Sequence, residues 1–369
     1  MDVRRAYHRY VPRSIRTTVR RARGRGVAPD STDVPRSGSA SSGFEAAVRK
    51  LYERPDGSPV HPMHETWLNY ALETNARGEE VARTVSEFSP LVGRRHLDIG
   101  SAYGGTVLAF AARGATSMGV EIVPSLLKLS RINAADFPGV AVEMIEGDIL
   151  DEDIHSDLGT FDIITCEHVI EHVSDVRKFL GVLSGLLGDH GLGHLLIPNP
   201  FNPKEVAGDG HYGLFGLTIL ERDVAEAYFH ATGWNEEYGV GEYCFTYRDH
   251  EMMFREAGMF LEQIYPPEDV NQSEALEEVA EKVRALASTF ESKVASGEIP
   301  PAFVENVRLA LGDYAAGFER AHTRFLDSSD GLRRSIGRDL LVQYGQDAWY
   351  VIAYKELGPA INAVGDPRV

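Results

Sequence analysis

Residues 97–105 read LDIGSAYGG and join a predicted strand to a predicted helix. Gly100 and Gly104 allow the backbone to turn tightly and to approach a ligand without a Cβ atom in the way. The helix that follows presents free N–H groups at its start. A loop of this kind, at the carboxyl end of a parallel strand, is typical of a nucleotide-binding site.

Apolar strands alternate with helical patterns on the C-terminal side of this loop. The alternation predicts an α/β fold, a Rossmann-like and mostly parallel sheet with helices on both faces. Residues 64–75, 78–88 and 273–343 have apolar residues at helical spacing. The predicted strands are RRHLDIG, TSMGVEIV, VAVEMIEGD, FDIITC, GHLLIPNP, MFLEQIY and DAWYVIAYKEL.

The chain divides by composition into an arm with a linker and a body. Residues 1–43 are rich in Arg, Ser and Gly and are expected to be disordered, whereas residues 44–369 are expected to form one folded domain. Within this body, residues 200–245 make a long connection, interpreted as a lid, because long connections in compact domains are usually functional. Residues 265–345 are expected to be a helical insertion before the last strand.

Charge is distributed unevenly between these parts. The whole chain carries −18, and residues 1–43, with ten Arg, three Asp and no Lys, carry +7, so the body carries −25. An acidic body repels phosphate backbones, which argues against a nucleic-acid partner. The basic residues 1–26 leave open a solvated tail, a transit peptide or peripheral contact with an anionic membrane. Two cysteines indicate a reducing, cytoplasmic setting.

Acidic residues indicate which nucleotide the loop would bind. The dinucleotide pattern G-x-G-x-x-G lacks its middle glycine here, where Ala102 stands, and Asp98 precedes the loop. A carboxylate suits a ligand with an ammonium and a sulfonium better than a pyrophosphate. Glu121, Asp148 and Glu167 end the next three strands, where they can accept hydrogen bonds from ribose hydroxyls or an adenine amino group.

These motifs, in this order, resemble a class I S-adenosylmethionine-dependent methyltransferase. The resemblance rests on LDIGSAYGG, VEIV, EGDI, FDIITCEHVIEHVSD and LLIPNP and covers residues 94–200. It implies seven strands, the last antiparallel, and S-adenosyl-L-methionine as cofactor. Ala102 departs from the glycine common in the family. The cofactor-binding residues that the resemblance implies are Asp98, Gly100, Ser101, Tyr103, Gly104, Glu121, Ile122, Asp148, Ile149 and Glu167.

The string CEHVIEH, residues 166–172, allows two interpretations. His168 and His172 on one helix could bind zinc with the H-x-x-E-H spacing of a class of metallopeptidase. The string instead follows a predicted strand, and the family shows a similar E-x-x-x-E-H run, so no metal is expected. His168 then either faces the substrate or is structural, and Glu171 and His172 are expected to start the next helix.

Methylation of a hydroxyl requires a base, which the family motifs do not contain. His211, among the glycines of GDGHYGLFGLTIL (208–220), is the first candidate, and His168 is the second. The same loop loosely resembles those of methyltransferases of polysaccharide and sugar-conjugate biosynthesis, which suggests O-methylation of a sugar, a glycan precursor or another small molecule. Open alternatives are the zinc metallopeptidase and a non-catalytic, cofactor-binding partner subunit. Residues 273–343 could mediate homo-oligomer formation.

Overall fold

The computed structural model describes five ranges of the chain, which are 42–54, 56–57, 64–234, 245–267 and 271–355. The basic arm, residues 1–26, lies outside the described residues, as does nearly all of the linker. The end of the lid connection, residues 235–244, lies outside them as well. The predictions made for these segments remain predictions.

Seven strands form one sheet. They are β1 (Arg95–Ile99), β2 (Thr116–Glu121), β3 (Glu143–Glu146), β4 (Phe161–Glu167), β5 (Leu187–Pro198), β6 (Phe260–Gln263) and β7 (Ala348–Tyr354). Their order in the sheet is β3-β2-β1-β4-β5-β7-β6, and the pairs β1–β2, β2–β3, β1–β4 and β4–β5 are parallel. This confirms the predicted Rossmann-like fold. The strand order runs outward in one direction from β1 to β3 and in the other direction from β4 onward. Ligands bind at such a topological switch point, which here lies between β1 and β4.

Helices occupy the segments between and beyond the strands. They are α1 (Ser42–Tyr52), α2 (His64–Leu72), α3 (Thr74–Ser86), α4 (Gly105–Ala112), α5 (Pro124–Ala135), α6 (Glu152–His155), α7 (Val176–Leu186), α8 (Pro203–Ala207), α9 (Arg222–Ala231), α10 (Tyr247–Glu256), α11 (Gln272–Ala295), α12 (Val304–Asp327) and α13 (Asp330–Leu340). Short 3₁₀ turns cover Leu217–Ile219 and Pro301–Phe303, and a π turn covers Leu341–Gly345. None of the helices in the described ranges combines the length and the apolar character that a membrane span requires.

The described residues fall into two compact units. The sheet unit consists of residues 42–196, Glu251–Glu262 and 351–355, and the helical unit consists of Ile197–His250 and Gln263–Tyr350.

In the sheet unit, α7 illustrates why the predicted segments become helices. Asp175 precedes α7, and its carboxylate accepts a hydrogen bond from the Lys178 backbone N–H at 2.9 Å, which caps the helix. Apolar side chains then recur every three or four residues and are buried together, so that one face of the helix packs into the core. These residues are Val176, Phe179, Leu180, Leu183 and Leu186.

The N-terminal helices pack against the loop that follows β1. Tyr103 of this loop shares an apolar cluster with Phe44 and Val48 of α1. The Phe44 and Tyr103 rings meet edge to face with centroids 6.3 Å apart, and the Tyr103 and Tyr52 hydroxyls are hydrogen-bonded. Helices α1 and α2 therefore form part of the same folded unit as the predicted cofactor loop.

Two glycines bring the backbones of α3 and α4 into contact. A Cβ atom added to Gly78 would lie 2.3 Å from the Gly105 carbonyl oxygen, and one added to Gly105 would lie 2.2 Å from the Thr74 carbonyl oxygen. No side chain fits in either place. The start of α4 is therefore packed against protein backbone in this region.

In the helical unit, the predicted lid connection and the predicted insertion share one core. Phe215, Tyr228 and Phe229 of the connection pack with Leu276 of α11 and Phe318 of α12. The Tyr314 hydroxyl of α12 donates a 2.7 Å hydrogen bond to the Phe201 carbonyl oxygen. The described part of this connection is therefore folded with the insertion, a grouping that the sequence did not predict.

The Gly78–Gly105 contact predicts opposite effects of the same substitution in two helices. Gly78→Ala should lower the free energy of unfolding by at least about 2 kcal/mol, because its methyl group would overlap the Gly105 carbonyl. Gly181→Ala, in α7, should raise it by about 0.5–1 kcal/mol, because nothing lies within 4 Å of the added Cβ. Urea unfolding followed by circular dichroism measures both, and equal effects would contradict the packing.

Candidate functional site

The loop after β1 turns through backbone conformations that side chains rarely adopt. Gly100, Ala102 and Gly104 have φ of +70°, +43° and +78°. Ala102 is therefore strained, which accounts physically for the glycine that the family commonly has there. A Cβ on Gly100 would lie 2.3 Å from Val169 Cγ2 and one on Gly104 2.8 Å from Met144 Cε. Side chains of the protein therefore fill the space beside both glycines. The sequence had suggested that this space would be open to a ligand.

Glu121, at the end of β2, fastens this loop to the sheet. Its Oε2 accepts a 2.8 Å hydrogen bond from the Ala102 backbone N–H, and its Oε1 accepts one of 2.8 Å from the Val123 N–H. The side chain is buried, and burial raises the pKa of the carboxyl while the backbone hydrogen bonds oppose that rise. Each oxygen keeps a lone pair that can accept from a further donor, such as a ribose hydroxyl.

Asp98, in β1, is a second buried carboxylate. Thr165 of β4 donates a 2.6 Å hydrogen bond to its Oδ1. Burial raises the pKa of Asp98 to about 8, the Thr165 hydrogen bond lowers it, and the charges of Glu167 and Glu121 raise it further. The structure therefore brings these three predicted carboxylates within electrostatic reach of one another.

Glu167 and His168 lie where β4 ends. Burial raises the pKa of Glu167, and the charges of His168 and Arg77 lower it. His168 has a φ of +55°, and its N–H donates to the Leu196 carbonyl oxygen at 3.1 Å. A histidine in this strained conformation persists only where its surroundings hold it, and such residues cluster at functional sites.

The other cofactor residues predicted from the sequence have different surroundings. Asp148 is half-buried and accepts a 2.8 Å hydrogen bond from the Leu150 N–H. Ile149 is buried, and Ile122 is exposed. Ser101 is buried, and its hydroxyl has no hydrogen-bond partner among the described residues. The Ser101 Oγ would lie only 2.6 Å from a Cβ added to Gly119, so this hydroxyl packs against β2.

The CEHVIEH string does not form a helix. Residues 168–175 are turn and irregular structure, and α7 begins only at Val176, so the expectation that Glu171 and His172 start that helix was wrong. Without a helix, His168 and His172 lack the i,i+4 geometry on which the zinc metallopeptidase interpretation depended. Cys166 is buried, and burial raises the pKa of its thiol, which disfavours the thiolate form that a nucleophile requires.

His211, in the helical unit, lies in a loop that Asp209 organises. The Asp209 Oδ1 accepts 2.9 Å hydrogen bonds from the His211 and Tyr212 N–H groups, and its Oδ2 accepts one of 2.8 Å from the Leu214 N–H. The His211 Nδ1 lies 3.8 Å from the Asp209 Oδ1. Asp209 was missed in the sequence, although an Asp between two glycines is a typical turn signal.

Comparison with known proteins assigns the class of this chain. A family model described as a methyltransferase domain matches residues 72–261, which are 190 of the 369 residues. The chain belongs to this methyltransferase-domain family, as the motifs had predicted.

Curated relatives resemble part of the chain. The ubiquinone biosynthesis O-methyltransferase of Vibrio parahaemolyticus is 33% identical over 119 residues, which cover 32% of this chain and 43% of the relative. That of Pseudomonas aeruginosa is 28% identical over 163 residues, covering 44% and 62%. The chain therefore spans less than two thirds of the length of these relatives. Among solved structures, magnesium protoporphyrin IX methyltransferase from Synechocystis PCC 6803, with bound SAH, has a TM-score of 0.40 at 15% identity, covering 61% of this chain and 87% of its own.

The raised pKa of Asp98 predicts that Asp98→Asn stabilises the protein as pH rises. An ordinary aspartate in the unfolded chain ionises near pH 4, whereas the folded Asp98 ionises near pH 8, so its contribution to stability falls between these values. The unfolding free energy of the variant should equal that of wild type near pH 4.5 and exceed it by about 1 kcal/mol or more at pH 8. Urea unfolding at both pH values measures this difference.

Asp162→Asn is the matched control for this prediction. Asp162 is half-exposed and accepts from the Arg94 guanidinium at 3.1 Å and from the Arg95 N–H at 2.9 Å. Its replacement should give no stabilisation at either pH. A gain for Asp98→Asn that does not change with pH would contradict the proposed cause.

Proposed function

We propose that this protein is an S-adenosylmethionine-dependent methyltransferase that methylates an oxygen atom of a small molecule. The observation that supports this best is a group of three carboxylates in the end regions of β1, β2 and β4, which are the buried Asp98 and Glu121 and the largely buried Glu167. Burial raises the pKa of each carboxyl, and the charges of Glu167 and Glu121 raise the pKa of Asp98 further. A bound cation would relieve that repulsion.

The cofactor fits this arrangement at both of its polar parts. Glu121 is held by two backbone N–H groups in an orientation that leaves lone pairs for a pair of vicinal hydroxyls. Asp98 and Glu167 offer negative charge to an ammonium and a sulfonium. When bound, the cofactor would supply a methyl group on positively charged sulfur, and in-line attack of the acceptor on the methyl carbon would release the neutral thioether.

The protein's own contribution is to position the two reactants and to manage one proton. Positioning can provide a large part of the rate enhancement of a two-substrate reaction. His168 and His211 remain the predicted bases. Each has a carboxylate beside its Nδ1, with Glu171 Oε1 at 3.6 Å from His168 and Asp209 Oδ1 at 3.8 Å from His211.

The acceptor is proposed as a hydroxyl because the curated relatives are named O-methyltransferases. A phenolic acceptor agrees with their printed name, whereas the sugar acceptor rests on the loose resemblance of residues 208–220. Assays with labelled cofactor and two acceptor panels, phenols and sugar nucleotides, compare the two classes. Cofactor binding without transfer to any acceptor would favour the non-catalytic partner subunit instead.

The Glu121 geometry predicts a loss of cofactor affinity for Glu121→Gln. The amide replaces one acceptor oxygen with a donor, which opposes a backbone N–H and cannot accept from a ribose hydroxyl. We expect S-adenosylhomocysteine to bind about 10- to 100-fold more weakly, as measured by isothermal titration calorimetry.

Glu146→Gln is the matched control. Glu146 lies beside Glu121 in the parallel register of β2 and β3, but its side chain is exposed. Its replacement should leave the affinity unchanged. Equal affinities for both variants and wild type, or no binding by the wild type, would overturn the proposed function.

A further inference from the structure

Four polar side chains cross the interior of the sheet unit beside the candidate site. Ser117 of β2, His96 and Asp98 of β1 and Thr165 of β4 are all buried. His96 and Asp98 are two residues apart and therefore point to the same face of the sheet. Ser117 is the register partner of His96 in β2, and Thr165 is the partner of Asp98 in β4. The strands thus place these side chains in one row.

Hydrogen bonds connect the whole row. The Ser117 Oγ lies 2.8 Å from the His96 Nδ1, and the His96 Nε2 lies 2.9 Å from the Thr165 Oγ1. The Thr165 hydroxyl in turn donates to the Asp98 Oδ1 at 2.6 Å. No other hydrogen bond to this carboxylate occurs among the described residues. The row therefore ends on one oxygen of Asp98.

Donor counting gives the row a direction. The single hydroxyl proton of Thr165 is used toward Asp98, so Thr165 can only accept from His96. Burial lowers the pKa of His96 to about 3, so its imidazole is neutral and carries one N–H. That N–H must be on Nε2, which leaves Nδ1 to accept from the Ser117 hydroxyl. Every hydrogen bond in the row therefore points toward Asp98.

Packing alone does not require these polar residues. Strands that are buried on both faces of a parallel sheet are normally almost continuously apolar. Replacing both partners of a buried hydrogen bond with apolar groups of the same shape is often neutral or stabilising. The His96 ring also stacks on Phe110, with centroids 3.7 Å apart and an interplanar angle of 11°, a contact that an aromatic hydrocarbon would make as well.

We propose that Ser117, His96 and Thr165 form a relay of hydrogen-bond donors that orients the Asp98 carboxylate toward the ammonium group of the bound cofactor. This inference rests on the proposed function and adds His96 and Thr165 to it as positioning residues. The relay engages one carboxylate oxygen and leaves the other to the ligand. It also favours the ionised carboxylate that a cation requires, against the repulsion of Glu121 and Glu167.

The test compares two ligands that differ in the ammonium group. S-adenosylhomocysteine carries the amino acid part, whereas 5′-methylthioadenosine keeps the adenosine and the thioether but lacks it. Thr165→Val removes the hydroxyl and keeps the branched shape, and Thr165→Ser keeps the hydroxyl. Titration calorimetry should show Thr165→Val binding S-adenosylhomocysteine about 10-fold more weakly, and 5′-methylthioadenosine as tightly as wild type does.

Thr165→Ser should bind both ligands within about 3-fold of wild type. An equal loss for both ligands in Thr165→Val would mean a general disturbance of the fold and would overturn the inference. So would unchanged affinity for S-adenosylhomocysteine. If wild type binds neither ligand, the proposed function fails and the inference fails with it. If wild type binds the ligands but Thr165→Val gives either of the two contradicting results, only the inference fails.

A second measurement needs no ligand and no variant. Nitrogen NMR of the protein labelled with ¹⁵N-histidine reports the tautomer of each ring. The relay requires a neutral His96 with its proton on Nε2 above pH 8, because the pKa of Asp98 is about 8 and the carboxylate is ionised there. A proton on Nδ1, or a charged ring in this range, would contradict the direction of the hydrogen bonds.

Discussion

The repulsion of a buried Asp98 by the charges of Glu121 and Glu167 is the constraint on which the site depends. Asp98 and Glu121 are buried and Glu167 is largely buried, and burial raises the pKa of each carboxyl. The protein lowers the free-energy cost of burying these charges with directed hydrogen bonds. Two come from backbone N–H groups to Glu121, and one comes from Thr165 to Asp98. These contacts also bend the loop after β1 and connect β1 to β4, so the same interactions shape the loop and prepare the site for a cation.

The fold was predictable because its signals are local. Strands of the sheet interior are short apolar runs, and helices such as α7 have both a cap and an apolar stripe. The order of acidic strand ends also followed from the sequence, since Asp98, Glu121 and Glu167 each stand at the end of an apolar strand pattern. The edge strand β3 is shorter than predicted, with four residues, because one side of an edge strand has no neighbour to extend it.

What the sequence did not predict depends on contacts between distant residues. His96 and Thr165 lie inside apolar strand patterns, and only the register of β1 with β4 shows that they meet. The positive φ of Ala102 and His168 follows from the loops around them and not from their own preferences. The turn at residues 168–175 has helical spacing in sequence but no helix, because the cap at Asp175 sets the start of α7 further along.

The two kinds of carboxylate contact have different consequences for turnover under the proposed function. The ammonium of the cofactor keeps its charge through methyl transfer, so a carboxylate that binds it, as Asp98 would, stabilises donor and product alike. The sulfur loses its charge, so a carboxylate near it, as Glu167 would be, stabilises the donor more than the product. Uniform binding does not accelerate the chemical step, whereas differential binding changes its energetics. The relay to Asp98 therefore serves affinity, and the charge of Glu167 favours exchange of product for fresh donor.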